Sequence, residues 1–409
     1  MQKLTTIDAP AAPASARAGA TAARVVGLQI AVMFMGSTLL TPLYPLYRRA
    51  FGFSEVTLTL VYATYVVGNL TALFFLGRVS DQVGRRRTSL PALALGGVTA
   101  VTFLCANGTP WLFVGRALSG LAIGVSAAAA TAWAVELLHD EARASALATT
   151  ANMLGVAAGP LLAGLLAQFA PAPLRTSHVV YLLLLALVAW RVATLPETVR
   201  RPLPHWRDAS YRPRVGVPRD VRAAFVAPAV AGFAAFALGG YYAVLVPGLL
   251  ADELRLTSPV VSGAIVATLY FISAGVIAAT RALRARTALR GGVLLLLPTA
   301  ALLLLAQTTA SMTALLGATL CGGAALALGY RGTLQVVNAI APAERRAEVV
   351  ASFMIACFLG NSLPVIGIAV LSELAGSTAA NVTFAAVIAG LGALALAVEG
   401  RTHGARAHA

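Results

Sequence analysis

The sequence predicts an all-α membrane protein: twelve membrane-spanning helices arranged as two six-helix bundles. Three observations predict this. First, the 409-residue chain is 59% hydrophobic and only 11% charged, with a mean hydropathy of +0.82. A soluble domain carries about a quarter charged residues, so apolar material on this scale has to face lipid. Second, the apolar residues fall into runs of roughly 20, the length that crosses a bilayer as a helix. Third, the longest polar interruption, residues 196–222, divides those runs six and six.

The runs cover residues 25–47, 55–76, 89–106, 111–135, 146–169, 178–195, 223–249, 259–280, 291–306, 312–335, 349–371 and 379–398. They are continuous rather than alternating. In lipid the backbone has to satisfy its own hydrogen bonds, so such runs are helices. The third and ninth are short and are expected to extend into their loops. The interruption "PETVRRPLPHWRDASYRPRVGVPRD" is rich in Pro and Arg and reads as a linker. The expected organisation is therefore an N-terminal tail 1–24, a bundle 25–195, the linker 196–222, a second bundle 223–398 and a C-terminal tail 399–409. The first 23 residues contain no apolar core of a secretory signal and read as a short disordered tail. "GRALSG" at 115–120 and "GATLCG" at 317–322 keep the same offset as "DEAR" ending at Arg143 and "PAER" ending at Arg345. This is a faint trace of a repeat, of the kind known in transporters built from parallel six-helix halves.

The net charge of +15 would suggest nucleic acid in a soluble protein. Here the arginines sit in short loops between apolar runs, where they set topology instead. With the N-terminus placed in the cytoplasm, only Arg48, Arg49, Arg175 and Arg255 fall on the far side, and Arg116 and Arg191 lie inside spans. The rest of the 30 basic residues are counted as cytoplasmic, Arg331 near the inner end of the tenth run among them. The bias places both termini inside, with the chain multi-pass in the cytoplasmic (inner) membrane. Cys105, Cys321 and Cys357 match neither a metal site nor a paired framework. The five histidines lie outside the cores of the runs and form no ligand cluster. No metal or cofactor is expected.

Four stretches carry chemistry. "GRVSDQVGRRR", residues 77–87, turns the chain between the second and third spans. Gly77 permits close helix approach and Gly84 a left-handed turn conformation. Arg85, Arg86 and Arg87 serve topology, but Asp81 does not, because acids contribute little to it. Asp81 either pairs with a nearby Arg or is a solvated acid in a basic turn. In "GSTLLTPLYP", Gly36, Pro42 and Pro45 let the first helix bend at its outer end. Arg116, in "RALSG" with Gly120, lies several residues inside the fourth span. It either faces a cavity or snorkels to the nearby surface. In "GVAAGPLLAG", Gly155 and Gly159 share a helix face with Gly164 near it, and Pro160 can bend the span. That pattern suits either a moving interface or ordinary close packing.

Together these stretches resemble the major facilitator superfamily, and within it the twelve-helix drug–proton antiporters. Gly77, Asp81, Gly84, Arg85 and Arg86 match the loop signature Gly-x-x-x-Asp-x-x-Gly-Arg-Arg. Gly36, Pro42 and Pro45 resemble the first-helix motif, Arg116 and Gly120 the fourth-helix motif, and Gly155, Gly159, Pro160 and Gly164 the fifth-helix antiporter motif. "PET" at 196–198 is also common there. The resemblance implies the major facilitator fold, alternating access and a role of Arg116 in proton transfer, with a proton gradient as the energy source. It also implies a cavity lined by spans 1, 4, 7 and 10, where Gln29, Met33, Arg116, Tyr241, Tyr242 and Gln335 are the candidate substrate contacts.

The chain departs from the pattern at Ser119, where glutamine is usual, and at Ala146, where the antiporter motif often opens with Gly. No Asp or Glu lies near the middle of a span, and the second half has no counterpart of Asp81. Any proton coupling therefore has to use Asp81, Glu136 or a substrate carboxylate. The expected function is secondary active export of small neutral or anionic organic compounds, as in drug or metabolite efflux. The alternative is import of an organic acid or similar metabolite. No nucleophile–base pair, metal cluster or phosphate loop supports an enzyme. The expected partners are a small-molecule substrate and the lipid bilayer, with no nucleic acid, and the protein is expected to be a monomer.

Overall fold

The computed structural model describes residues 13–213 and 215–407. Among them, twelve helices are long and apolar enough to cross a membrane, and no strand occurs. In chain order they are α1 (Pro13–Thr38), α2 (Glu55–Thr71), α3 (Arg85–Leu104), α4 (Thr109–Leu138), α5 (Glu141–Phe169) and α6 (Pro173–Ala193). After the linker come α7 (Arg222–Val244), α8 (Pro259–Ala279), α9 (Ala285–Thr308), α10 (Met312–Ile340), α11 (Arg346–Ala375) and α12 (Ser377–Ala407). The segment between α6 and α7 holds one short turn of 3-10 helix, Trp206–Asp208.

Local chemistry sets the helix ends. The side chains of Ser54, Asp140, Ser258 and Ser311 each accept a hydrogen bond from the backbone N–H three residues on, which starts α2, α5, α8 and α10. The first apolar run breaks where its prolines fall. α1 stops at Thr38, a 3-10 turn covers Thr41–Leu43, and a short helix resumes at Tyr44–Phe51. The bend expected at Pro42 and Pro45 is therefore a full interruption.

Two boundaries differ from the sequence reading. Residues 13–23, expected as disordered tail, are already helical. Their Ala-rich composition has the highest helix propensity, which outweighs the missing apolar core; residues 1–12 of that tail lie outside the described residues. The last helix continues to Ala407, through most of the expected tail 399–409. The third and ninth spans extend into their loops as expected, starting at Arg85 and Ala285.

Within the first six helices, α1 packs on α4, α5 and α6, and α2 and α3 both pack on α4. Within the second six, α7 packs on α10, α11 and α12, and α9 packs on α10 and α12. Contacts between the two sets run along α5–α8 and α2–α11. The helices alternate in direction. One face of the bundle therefore carries residues 77–84, the described part of the linker, the start of α1 and the end of α12. It is called the terminal face below, and the other is the opposite face.

Candidate functional site

Arg85 organises the terminal face. Gly84, at φ +120°, turns the chain into α3 and leaves room beside it. A Cβ there would sit 2.5 Å from Glu197 Oε2, so glycine is required both by the backbone angle and by the neighbour. Glu197 accepts the backbone N–H of Arg85 at 2.7 Å and that of Arg86 at 3.1 Å. A carboxylate thus caps the positive N-terminus of α3. The Arg85 side chain is buried and donates to Glu136 Oε1 at 2.7 Å, to Ser80 Oγ at 2.8 Å and to Asp81 Oδ1. Thr198 donates its hydroxyl to Glu136. Arg86 reaches the carbonyl of Leu195 at 3.1 Å. The linker joins in: Leu203 N–H donates to Gln82 O at 2.8 Å and Ser210 N–H to Gln82 Oε1 at 2.9 Å. The turn after α2, the start of α3, the end of α4 and the chain after α6 therefore meet at one residue, Arg85.

The glycines of the motifs are contact points between helices. A Cβ at Gly120 would sit 2.8 Å from Asn69 N of α2. At Gly155 it would meet Ala31 Cα of α1 at 2.9 Å, and at Gly159 Thr38 Oγ1 at 2.5 Å. Gly36 faces the Tyr181 ring of α6, with Cζ 2.5 Å from such a Cβ. Gly164 does not share the face of Gly155 and Gly159, contrary to the sequence reading. Nine residues at 100° each turn it to the other side of α5. There its Cβ would be 2.5 Å from Pro259 O of α8. Gly263 of α8 in turn lies against Pro160, with Cβ to Pro160 C at 2.9 Å. One helix thus presents small residues to its own bundle through Gly155 and Gly159, and to the other bundle through Pro160 and Gly164.

Arg116 is fully buried in α4 (0% exposed), so it does not snorkel. Its Nη1 donates to the Ser37 carbonyl at 2.8 Å, just where α1 ends. Its guanidinium carbon lies 4.7 Å from the ring centroid of Tyr65 and 5.2 Å from that of Tyr62. Nε and Nη2 have no hydrogen-bond partner. Among the described residues no carboxylate pairs with it. Two aromatic faces attract the cation but leave its in-plane donors unused. Tyr62 also accepts a hydrogen bond from Asn361 Nδ2 of α11 at 2.8 Å. The ring beside Arg116 is thereby tied to the second set of helices.

Other bonds cross the same seam. Ser258 Oγ of α8 donates to Gln168 Oε1 of α5 at 2.5 Å, and Val56 N–H of α2 donates to Glu373 Oε1 of α11 at 3.4 Å. These contacts lie toward the opposite face, which is where the two sets of helices are joined.

Of the other expected substrate contacts, Gln29 is buried and donates to Ser126 Oγ of α4 at 2.9 Å. Met33 lines a small cavity inside the first six helices with Gly96 and Ile123. Tyr241 donates to Asn381 Oδ1 at 2.8 Å and stacks on Phe384 of α12, with ring centroids 4.8 Å apart. Tyr242 lies 3.2 Å from Thr319 Oγ1 of α10. Gln335 is exposed on α10. The structure does not bring these residues together around Arg116.

Three comparisons bear on this arrangement of helices and motifs. The sequence description of the Major Facilitator Superfamily matches residues 26–365. The chain belongs to the major facilitator superfamily. Its fold is that of solved transporters of this superfamily. A nucleoside transporter, NupG, has a TM-score of 0.71 and 13% identity, covering 92% of this chain and 99% of that one. The human organic anion transporter MFSD10 gives 0.63 and 17%, covering 92% and 99%. Among curated relatives, multidrug resistance protein MdtL of Escherichia coli O157:H7 is 33% identical over 94 residues, 23% of this chain and 24% of MdtL. The inner membrane transport protein YnfM of Escherichia coli strain K12 is 28% identical over 182 residues, 42% of this chain and 40% of YnfM. The chain thus spans about a quarter of the first relative and two-fifths of the second. Among the described residues this superfamily member has twelve helices long and apolar enough to cross a membrane.

Sequence reasoning missed several residues of the site. Glu197 stood in the "PET" stretch, but nothing local marks it as the cap of a helix that begins at Arg85. Tyr62, Tyr65 and Asn361 carry no sequence signal beyond being polar or aromatic in apolar runs. His178, placed outside the cores of the runs, is buried at 1% exposure. It lies 3.1 Å from Tyr47 OH and stacks on Phe103. The break after α1 places Tyr47 over the start of α6, which a linear reading does not show.

Proposed function

We propose that this transporter exports small neutral or anionic organic compounds by alternating access, and that Arg116 meets the substrate's acceptor or carboxylate group. The observation that carries the reading is a buried guanidinium with no counter-ion and two nitrogens left without a hydrogen-bond partner. A buried charge without a counter-ion is costly unless a ligand or hydrogen bonds compensate it. Arg116 keeps two donor nitrogens unused between two tyrosine rings, beside the seam of the two halves. A planar acceptor such as a carboxylate matches the fork of Nε and Nη2. A permanent cation would meet repulsion there. The partial likeness to a multidrug resistance protein favours the outward direction.

In the proposed cycle the contacts at the opposite face part while the terminal face closes. Pro160, Gly164 and Gly263 supply the smooth seam on which α5 and α8 move, and the Arg85 cluster keeps the first six helices rigid. Proton movement would use Asp81, Glu136 or the substrate's own carboxylate. The deciding experiment compares efflux of a neutral drug, an organic acid and a quaternary ammonium dye from cells and from inverted vesicles. Export of the first two and not the dye is expected. Robust export of the dye would overturn the reading, and uptake in place of efflux would favour the importer.

A further inference from the structure

The break after α1 builds a second polar site, at the opposite face and apart from Arg116. The short helix Tyr44–Phe51 is held there on two sides. Toward the second six helices it packs on the short helix Val246–Asp252 that follows α7, and the turn Thr41–Leu43 before it packs on α8. Toward its own bundle it is fixed by Tyr47, whose hydroxyl lies 3.1 Å from His178 Nε2 and 3.5 Å from the Leu174 carbonyl, both in α6. That hydroxyl can donate to a neutral imidazole. It can also turn its proton to Leu174 and accept from an imidazolium. The contact therefore serves both charge states of the ring.

The surroundings, as they stand, serve only the neutral one. His178 is buried and stacks on Phe103 of α3. The ring borders a cavity of about 10 Å³ together with Ser119 of α4 and Tyr181 of α6. The hydroxyls of these two buried residues make no hydrogen bond among the described residues. One water bonded to them is the most that such a space holds, so it cannot hydrate a cation. No acid pairs with the ring among the described residues. The short helix brings it the phenols of Tyr44 and Tyr47, and α6 that of Tyr181. Arg48, Arg49, Arg175 and Cys105 at this face are exposed. The charged residues of α1, α3 and α5 lie at the terminal face, and Arg116 of α4 acts on Tyr44.

We propose that His178 is a proton-binding site, neutral while the opposite face is closed and protonated when that face opens; this rests on the alternating-access reading above. The lone pair of the imidazole takes H⁺ from water at the opened face and gives it up when burial is restored, and the Tyr47 hydroxyl turns between Nε2 and Leu174 to suit. A buried imidazolium without a counter-ion is costly, so protonation and opening favour each other. The short helix is the part that moves, because it alone is tied to His178 on one side and packed on the second six helices on the other. His178 thus supplies a proton carrier beside Asp81, Glu136 and a substrate carboxylate, with a side chain whose ordinary titration falls near neutral pH.

The test needs no substrate. Spin labels on Asn107→Cys and Thr309→Cys, exposed loop positions of the two sets of helices at the opposite face, report their separation in the full-length protein in liposomes. Cys105, Cys321 and Cys357 are replaced by serine in that protein. From pH 8 to pH 5.5 the longer separation should gain population over the shorter, by up to about tenfold per pH unit, the limit for one proton. His178→Gln should abolish the gain, with His178→Asn as the substitute should that variant fail to reach the membrane. Tyr47→Phe keeps the titrating ring but releases the short helix, so the longer separation should be populated already at pH 8 and still grow in acid. No gain with His178 in place, or an equal gain in His178→Gln, would overturn the proposal; the second result would assign the response to the acids of that face. Export of the quaternary dye, which overturns the proposed function, leaves this measurement unaffected, because no transported compound enters it.

Discussion

Glu197 accepts the backbone N–H of Arg85 at 2.7 Å, and this bond joins the chain after α6 to the first residue of α3. The same carboxylate takes the N–H of Arg86, so it spans two of the free donors at a helix start. The side chain of Arg85 then reaches Asp81 and Glu136, from two other elements. The backbone and the side chain of one residue thus unite four segments of the first six helices.

The cap has a measurable value. Glu197→Ala leaves two N–H groups without their acceptor and should cost about 1–2 kcal/mol, the usual price of a lost cap. A lower thermal midpoint of the purified protein, with the same helix content by circular dichroism, is the expected result. Gly84→Ala should be worse, because the new methyl meets Glu197 in addition to the strained φ.

Asp81→Asn removes one of two acids on Arg85 and leaves Glu136 in place. The protein should still fold and reach the membrane, while transport falls about tenfold or more, the effect of one charge-assisted bond of ~1.5 kcal/mol on a working conformation. Efflux rate and membrane abundance measured together check this. Unchanged efflux would reduce the Asp81–Arg85 pair to a structural role.

Arg116→Lys keeps the charge but loses the planar fork. Efflux of an organic acid should drop about 100-fold, and efflux of a neutral drug by less, because a charge-assisted bidentate contact is worth ~3 kcal/mol. Competition between the two substrates gives the comparison. Equal loss for both would assign Arg116 to the tyrosine stack rather than to the substrate.

The glycines of α5 divide by partner, and substitutions should divide with them. Gly164→Leu and Gly263→Leu push α5 and α8 apart and should slow disulfide cross-linking between cysteines placed at Gln168 and Ser258. Gly155→Leu strikes α1 within the first six helices and should lower the thermal midpoint instead. Cross-linking rates and melting curves on these three variants and the unsubstituted protein separate the two effects.

The placement of the basic residues predicts a cytoplasmic C-terminus. A reporter fused after Ala409 that is active only in the cytoplasm is the expected outcome. Periplasmic activity would contradict the orientation.

The sequence by itself determined the helices. Length and apolarity suffice for that, because a bilayer leaves a long apolar run no other backbone solution. It also marked Asp81, Gly84, Arg85, Arg116 and the glycines of α5, since charge in lipid and small residues at helical spacing are conspicuous against a background of Leu, Ala and Val. Tertiary structure decided what each residue touches. Glu197 is more than a hundred positions from Arg85, and Asn361 is nearly three hundred from Tyr62. No local pattern encodes such pairs, because they depend on how the helices cross. The face of Gly164 was legible from helical geometry alone, but its partner, Pro259 of α8, was not. The same holds for the acids near Tyr241: Glu55 begins one apolar run and Asp252 and Glu253 follow another, and only the meeting of the two sets of helices brings them to one cavity.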